Sequence, residues 1–331
     1  MLGCYLLAGQ PDSSRDLVDE VRVAEELGLD AAFISERYNK KEAAVLSGAA
    51  GAVSERIRII TAATNHNTRH PAVTAGFART MQSLTGGRFT LGLGRGVTAM
   101  QDAYGIPRIT TRELEDFVGL MRRLFRGEAV FDWPGSPVLH LDSGLDEHLP
   151  MCLTAFGDRT LELAGRAFDD VVLHTYFTDD VTRHCVEVAR NAAADAGREV
   201  RVWSCFATIP DSLGEEARLK KTVGRLGTYL QGYGDLLVRT NGWDPAVLQR
   251  FLADDVVRSV AGLDIVGTPE QLRHAATLIP GEWFAASATG TPEQCATAVR
   301  GQLALGCDGV ILHGCTPTEL APVVHALRED A

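Results

Sequence analysis

Residues 57–96 read IRIITAATNHNTRHPAVTAGFARTMQSLTGGRFTLGLGRG. The β-branched residues Ile57, Ile59 and Ile60 form a short apolar run, the pattern of a buried strand. A polar loop over 64–70 follows, and Pro71 stands where a helix accepts proline, in its first turn. The helix expected over 72–84 stops at Thr85-Gly86-Gly87, a glycine terminus. A second strand over 88–93 runs into a turn built on Gly92, Gly94 and Gly96. The stretch is therefore one β-loop-α-β unit. Its polar and glycine residues gather at the C-terminal ends of two strands, the edge at which parallel α/β folds bind ligands.

The same alternation extends in both directions. Strands are expected over 3–8, 31–35, 149–154, 170–174, 200–208 and 308–313, which with the two of the central stretch makes eight. After a turn at Gly9-Gln10-Pro11-Asp12, Ser13 or Ser14 caps a helix whose apolar face is Leu17, Val21, Ala24 and Leu27, closed by Gly28. A small-residue helix follows over 42–53, beyond Glu36-Arg37-Tyr38-Asn39. After Gly96 comes a polar connection, then a helix over 111–125 and a surface hairpin over 128–141 around Trp133-Pro134-Gly135. Phe156-Gly157-Asp158 opens a helix over 159–167, and Thr178 or Asp179 caps the next, which ends near Gly197. Residues 211–288 read as mostly helical, longer than one crossover needs, so an inserted helical layer is expected there. Thr291-Pro292-Glu293 opens a further helix with proline at the first helical position, and a short helix closes the chain. Eight strands alternating with helices, without a linker-like stretch, indicate a single (β/α)8 TIM barrel spanning 1–331, with its insertion at 211–288. The alternative is an open doubly wound sheet, which seldom needs eight strands in one unbroken alternation.

The chain has 331 residues, 45% of them hydrophobic and 23% charged, the balance of a soluble globular protein. Its formal charge is −11, from 32 basic and 43 acidic residues, which opposes a nucleic-acid partner. It leaves room for an anionic ligand, because a single cleft can be locally positive. The N-terminus carries no basic leader, and no apolar run approaches the roughly 20 residues that span a bilayer, so a cytoplasmic protein with no membrane partner is expected. The seven cysteines are scattered and contain no Cys-x-x-Cys pair, and read as small buried hydrophobes rather than metal ligands or disulfides.

In a barrel the strand ends bring Glu36-Arg37, residues 61–67, 94–96, Phe156-Gly157, His174-Thr175 and His313 around one mouth. No Cys/His/Asp cluster has metal-ligand spacing, and neither Gly-x-Ser-x-Gly nor Ser-x-x-Lys occurs. A site poor in its own reactive groups borrows them from a cofactor. Gly92-Leu93-Gly94-Arg95-Gly96 lacks the last glycine and the immediate helix of a dinucleotide fingerprint, and its glycines equally suit a tight turn or a close approach. Arg69-His70-Pro71 reads as a helix start. Glu36-Arg37 is open between a rim ion pair and a ligand contact, whereas the amides at Phe156-Gly157-Asp158 suit an anion, phosphate included.

Several segments carry a family resemblance: Phe33-Ile34-Ser35-Glu36-Arg37, Thr61-Ala62-Ala63-Thr64-Asn65, Thr68-Arg69-His70-Pro71-Ala72-Val73 and Gly86-Gly87-Arg88-Phe89-Thr90-Leu91-Gly92-Leu93-Gly94. Together with Ala164-Gly165-Arg166-Ala167-Phe168-Asp169-Asp170 and Gly267-Thr268-Pro269-Glu270, they resemble the bacterial luciferase-like superfamily over most of the chain. Within it they are most similar to coenzyme F420-dependent oxidoreductases of the methylenetetrahydromethanopterin reductase type. The resemblance implies a TIM barrel holding a deazaflavin or flavin at its C-terminal mouth. It also implies a non-prolyl cis peptide at the end of the third strand, against the back of the ring, which falls here at Ala62–Ala63. By the same carry-over Glu36 lies near the ring and Asn65 near its polar edge. Gly94 to Gly96 lie beside the ribityl chain or phosphate, and Phe156, Gly157 and Thr175 at the phosphate end.

The departures narrow the substrate. Relatives that oxidise sugar phosphates carry an acidic residue after the glycine turn and a histidine after the acidic residue of the second strand; Val97 and Arg37 stand there, against glucose 6-phosphate. His66 replaces the usual proline after Asn65, either as a proton donor opposite the hydride or as a solvated loop side chain. The leading expectation is an F420-dependent oxidoreductase transferring a hydride to or from a small organic substrate, with Glu36 and His66 as candidate catalytic groups. The alternatives are an FMN-dependent monooxygenase of the same superfamily and a non-catalytic cofactor-binding protein. The family resemblance further implies a homodimer.

Overall fold

A computed structural model describes residues 1–9, 13–37, 40–96, 98–142, 145 and 148–329. Gln10, Pro11 and Asp12 of the expected turn, the pair Tyr38-Asn39, and Val97 lie outside the described residues. The strands are β1 (Leu2–Tyr5), β2 (Ala31–Ile34), β3 (Arg58–Thr61), β4 (Phe89–Leu93), β5 (Met151–Thr154), β6 (Asp170–Val172), β7 (Arg201–Pro210), β8 (Ala288–Gly290) and β9 (Gly309–His313). Strands β1 to β7 pair in order and in parallel; β7 then pairs β9, and β9 returns to β1. This closes a ring of the eight expected strands. The three-residue β8 is additional to them. It pairs only with the upper end of β7, Thr208↔Ala288 to Pro210↔Gly290, and its Ala-Thr-Gly sequence offers no apolar run to read.

Alternation along each strand sorts side chains between the barrel interior and the helical shell. Ala31, Phe33, Ile60, Cys152, Val172, Trp203, Cys205 and Ile311 form the inner cluster, while Ala32, Ile34 and Ile59 belong to the outer core. The inner layer is packed by matching large with absent side chains. A Cβ on Gly309 would overlap the Trp203 ring, and one on Gly3 would meet Phe33 at 2.7 Å. At the base, Trp203 Nε1 donates to buried Asp170 at 3.0 Å. Arg201 closes a two-bond fork on the same carboxylate at 2.8 and 2.7 Å, and Arg58 adds a contact at 3.3 Å, so the buried charge is fully partnered.

The shell comprises α1 (Leu17–Glu26), α2 (Ala43–Val53), α3 (Pro71–Thr85), α4 (Thr98–Tyr104), α5 (Thr111–Phe125), α6 (Asp158–Ala167) and α7 (Asp179–Asp195). Between β7 and β8 lie α8 (Glu215–Leu219), a π turn at Lys220–Gly224, α9 (Arg225–Asn241), α10 (Pro245–Ala253), α11 (Asp255–Arg258), α12 (Leu263–Val266) and α13 (Pro269–Ala276). Helices α14 (Pro292–Ala304) and α15 (Pro317–Glu329) complete the chain. Local chemistry sets these ends. His70 caps α3 by accepting from the Ala72 amide, Pro71 follows, and Gly86 closes the helix at φ 59°. Thr110 with Glu113, and Thr291 with Gln294, form capping boxes. The expected hairpin is present as a reciprocal Val130–Leu139 pair of bonds, each 2.8 Å. Two expectations need correction. The polar connection after Gly96 contains α4, a seven-residue helix whose buried side chain among those described is the polar Gln101, and the closing helix α15 is 13 residues long, not short. All seven cysteines are buried and free. No helix among the described residues is long and apolar enough to cross a membrane.

Glycines at two kinds of position should respond oppositely to alanine. A Cβ on Gly92 would overlap the Thr61 carbonyl oxygen inside the ring, whereas nothing lies within 4 Å of one on Gly76 in α3. Gly92→Ala is expected to destabilise by about 4 kcal/mol or more, and Gly76→Ala to stabilise by roughly 0.5–1 kcal/mol. Urea unfolding of the two variants checks both signs.

Candidate active site

Strand β3 pairs with β4 only through Ile59 and Ile60, and then departs. At the point of departure the Thr61 hydroxyl replaces the ladder, donating to Gly92 O at 2.8 Å and accepting from Gly92 N at 2.7 Å. The next bond, Ala62–Ala63, is cis. The segment then rejoins its neighbours. Ala62 N donates to Ile34 O (2.8 Å), Glu36 N to Ala63 O (3.2 Å), Thr64 N to Gly92 O (3.0 Å) and Gly94 N to Thr64 O (2.9 Å). Tyr5 Oη donates to Ala62 O at 3.1 Å. Both carbonyls of the bulge are thus consumed from inside, and its two side chains are methyl groups, that of Ala62 buried in the inner cluster.

Glu36 is held directly behind this bulge. It accepts from Thr64 Oγ1 at 2.5 Å and from both terminal nitrogens of Arg69, at 2.5 and 3.2 Å. Arg69 also reaches Glu42, the N-cap of α2. The partner of Glu36 is thus Arg69, 33 residues away, and not Arg37; a rim Glu36–Arg37 pair is not formed. Proline fixes the start of α3, and that fixed start delivers Arg69, so the residues read as a helix start also carry the ion pair. Asn65 is buried, with Nδ2 donating to Gly94 O at 2.6 Å. Gly94 is required by this crowding, because a Cβ there would come within 2.8 Å of the Ala63 methyl. Gly96 has φ 76°, the left-handed backbone its turn needs.

An aromatic and imidazole wall continues from the bulge. Tyr5 packs against His313 at 5.1 Å between ring centroids, and His313 Nε2 meets Tyr229 Oη at 3.3 Å. His174 contacts Phe156 (4.8 Å), Tyr229 (5.3 Å) and Tyr233 (5.3 Å). Its Nδ1 lies 2.7 Å from Thr175 O and its Nε2 3.0 Å from Tyr233 Oη. A carbonyl only accepts, so Nδ1 carries the proton and Nε2 accepts from the tyrosine. Burial pushes His174 down to about 4 and His313 well below the ordinary histidine range. Arg225 and Arg37 depress His313 further. Both imidazoles are neutral at physiological pH. Thr175 is buried, with its hydroxyl 3.2 Å from Cys205 Sγ.

Gly157 is the N-cap of α6, at φ 87°, and provides no side-chain cap; a Cβ placed there would meet nothing within 4 Å. The Thr160 amide turns back to Gly157 O at 3.0 Å, which leaves the amides of Asp158 and Arg159 without a side-chain cap. Beside it is a cavity of about 350 Å³ lined by Asp158, Asp180, Val181, His184 and Thr240. His66 is not a solvated loop side chain. It is half-buried, its ring stacked on Phe117 of α5 at 4.7 Å, and burial holds it below its ordinary value. It makes no ring contact with the Tyr5–His313–His174 wall among the described residues.

Sequence reasoning brings the strand-end residues together but misses Tyr5, Lys41 and three side chains of α9. Arg225, Tyr229 and Tyr233 recur every four residues, so they share one helix face, and that spacing is the available signal. It is obscured because Gly232-Tyr233-Gly234 reads as an interruption; the helix continues through it with a kink at Tyr233.

A closed parallel barrel with its polar and aromatic side chains at the strand C-termini defines a TIM-barrel protein with a ligand mouth. A family model described as luciferase-like monooxygenase matches residues 2–309, and the chain belongs to that family. It is 28% identical over 239 residues to the 5,10-methylenetetrahydromethanopterin reductase of Methanolobus tindarius, covering 68% of this chain and 70% of the relative. Among solved structures it resembles the coenzyme F420-dependent tetrahydromethanopterin reductase of Methanopyrus kandleri, with a TM-score of 0.81 at 18% identity over 99% of this chain and 98% of that one. It also resembles an F420-dependent secondary alcohol dehydrogenase in complex with an F420–acetone adduct, with a TM-score of 0.71 at 17% identity over 99% of each chain. At these identities the two structural likenesses establish the fold.

His174 couples the wall to stability. The unfolded chain protonates it near 6.5 and the folded chain only near 4, so the unfolded state binds the extra proton between these values. Stability is therefore lost as the pH falls through that window, by about 3 kcal/mol from this residue at pH 4. His174→Phe should flatten the acid limb of the urea-unfolding stability curve by that amount relative to the native chain.

Proposed function

We propose that the chain is an F420-dependent oxidoreductase acting on a small organic substrate. The observation that carries the reading is the Ala62–Ala63 bulge at the C-terminal end of β3: its carbonyls are satisfied from within, and its only side chains are methyl groups. Such a surface fits the flat face of a tricyclic ring and gives it no competing hydrogen bonds. The F420-dependent reductase and dehydrogenase whose fold this chain shares support the choice of cofactor, as does the kinship with a methylenetetrahydromethanopterin reductase.

Ala62 and Ala63 would back the ring, Asn65 would meet its polar edge, and Gly94 and Gly96 would flank the side chain. Phe156, Gly157 and Thr175 would hold the phosphate end, where the uncapped turn of α6 supplies amides. When bound, F420 supplies a hydride donor or acceptor. Glu36 acts as a positioning residue: its carboxylate is committed to Thr64 and Arg69, so it fixes the bulge.

A hydride transfer also requires a proton at the substrate. Tyr5 donates to Ala62 O and Tyr233 to His174 Nε2. The remaining pair is Tyr229 with neutral His313, whose buried Nδ1 has no partner among the described residues. This pair holds the proton at the mouth.

The test is binding. F420 should quench tryptophan fluorescence of the native chain at micromolar concentration, with FMN binding more weakly. Ala63→Val, which adds two methyl groups to the bulge, should weaken F420 about tenfold in protein that still unfolds cooperatively, though at a lower melting temperature. A preference for FMN would instead favour the monooxygenase chemistry of the family, and unchanged affinity in the variant would remove the bulge from the cofactor site.

A further inference from the structure

The mouth carries a concentration of positive charge that the cofactor reading does not use. Arg37 at the end of β2 and Lys41 are bridged backbone to backbone, Arg37 N to Lys41 O at 2.9 Å and Lys41 N to Arg37 O at 3.0 Å. Lys41 is buried, and its Nζ donates to Leu7 O at 3.0 Å, just past β1. Leu7 has φ 51°, and its amide is held by Glu20 at 2.6 Å, so the carbonyl that receives the lysine is fixed from both sides. Arg225 enters from α9. It is also buried, pairs with Asp264 at 2.9 Å, and lies over the Tyr229 ring at 5.9 Å. A Cβ on Gly9 would sit 3.4 Å from its Nη2, so this guanidinium lies against the loop after β1.

These three cations are close enough to oppose one another. Burial disfavours the charged form of Arg37, and Arg225 adds to the effect; burial and then Arg37 bring Lys41 down to about 8. The compensation is incomplete. Asp264 is taken by Arg225, Glu20 binds the Leu7 amide, and the Arg37 guanidinium has no hydrogen bond or ion pair among the described residues. In a chain of net charge −11, a half-buried guanidinium without a carboxylate marks a place where an anion completes the site. The cluster adjoins the reacting region through continuous contacts, Arg225 to Tyr229, Tyr229 to His313, His313 to Tyr5, and Tyr5 to Ala62 O. The opposite end of the mouth, at Gly157, is lined by Asp158 and Asp180 instead.

We propose that Arg37, Lys41 and Arg225 form an anion subsite that selects substrates bearing a carboxylate or phosphate group. The proposal rests on the reading of this mouth as the substrate and cofactor site. An anionic group of the cofactor's own side chain has the same chemistry, and the experiment separates the two sources.

Inorganic phosphate is the probe, titrated calorimetrically at low ionic strength into the native chain, Arg37→Gln and Lys41→Met, each alone and saturated with F420. Saturable phosphate binding by the native chain that weakens about tenfold in both variants, with melting temperatures unchanged, is the expected result. Persistence of that binding in the F420-saturated chain assigns the subsite to substrate. Competition between phosphate and F420 assigns it to the cofactor and overturns the proposal, as does equal phosphate affinity in all three proteins. A chain that binds phosphate through Arg37 but does not bind F420 would retain the subsite and sink the cofactor reading, so the two failures are distinguishable.

Discussion

Where β3 parts from β4, the Thr61 hydroxyl takes both polar groups of Gly92, and the Thr61 carbonyl occupies the space a Cβ of Gly92 would need. This exchange lets a strand leave a closed barrel without leaving unpaired backbone inside it. The chain steps outward through Ala62–Ala63 and returns at Thr64, whose amide shares the same Gly92 oxygen. Everything at the mouth depends on that step. It places the methyl groups of the bulge, brings Thr64 within reach of Glu36, and crowds Gly94 against Ala63. The glycines of β4 are thus explained by the neighbouring strand before any ligand is considered.

The bulge is braced by charge as well as by backbone bonds. Arg69 joins Glu36 and Glu42, tying the loop after β3 to the end of β2 and the start of α2. Glu36 and Arg69 are largely shielded from solvent, so the pair is screened less than a surface bridge and its fork geometry carries direction as well as energy. A carboxylate already committed to a guanidinium and a hydroxyl is a poor proton shuttle. Its contacts hold Glu36 between the bulge and the start of α3.

The eight ring strands are legible because each is an apolar run bounded by turn residues, and the helix starts because their caps are local in sequence. What is not legible is long-range. Nothing adjacent to Glu36 announces Arg69, and Arg37 beside it is the natural guess. Strand β8 has three residues and exists only because β7 extends past its ring neighbours. The position of the bulge comes from family likeness, since the string Thr-Ala-Ala-Thr contains no physical sign of a cis bond. The aromatic and cationic residues of α9 reach the mouth because the helical layer folds back over it, a tertiary fact that a helical stretch of sequence does not encode.

The electrostatics of the mouth follow from where water is excluded. His174 and His313 lie on the same wall as the tyrosines, and burial keeps both imidazoles uncharged, so neither adds to the positive potential. Guanidinium groups resist the same burial because their ordinary pKa is so high that even a large downward shift leaves them charged. Desolvation therefore sorts the basic residues by type: the histidines become neutral hydrogen-bonding groups, and Arg37 and Arg225 beside them keep fixed charge. One mouth thus holds neutral imidazoles and fixed guanidinium charge side by side, although the chain as a whole is acidic. The difference in charge arises from side-chain chemistry acting in a common low-dielectric setting.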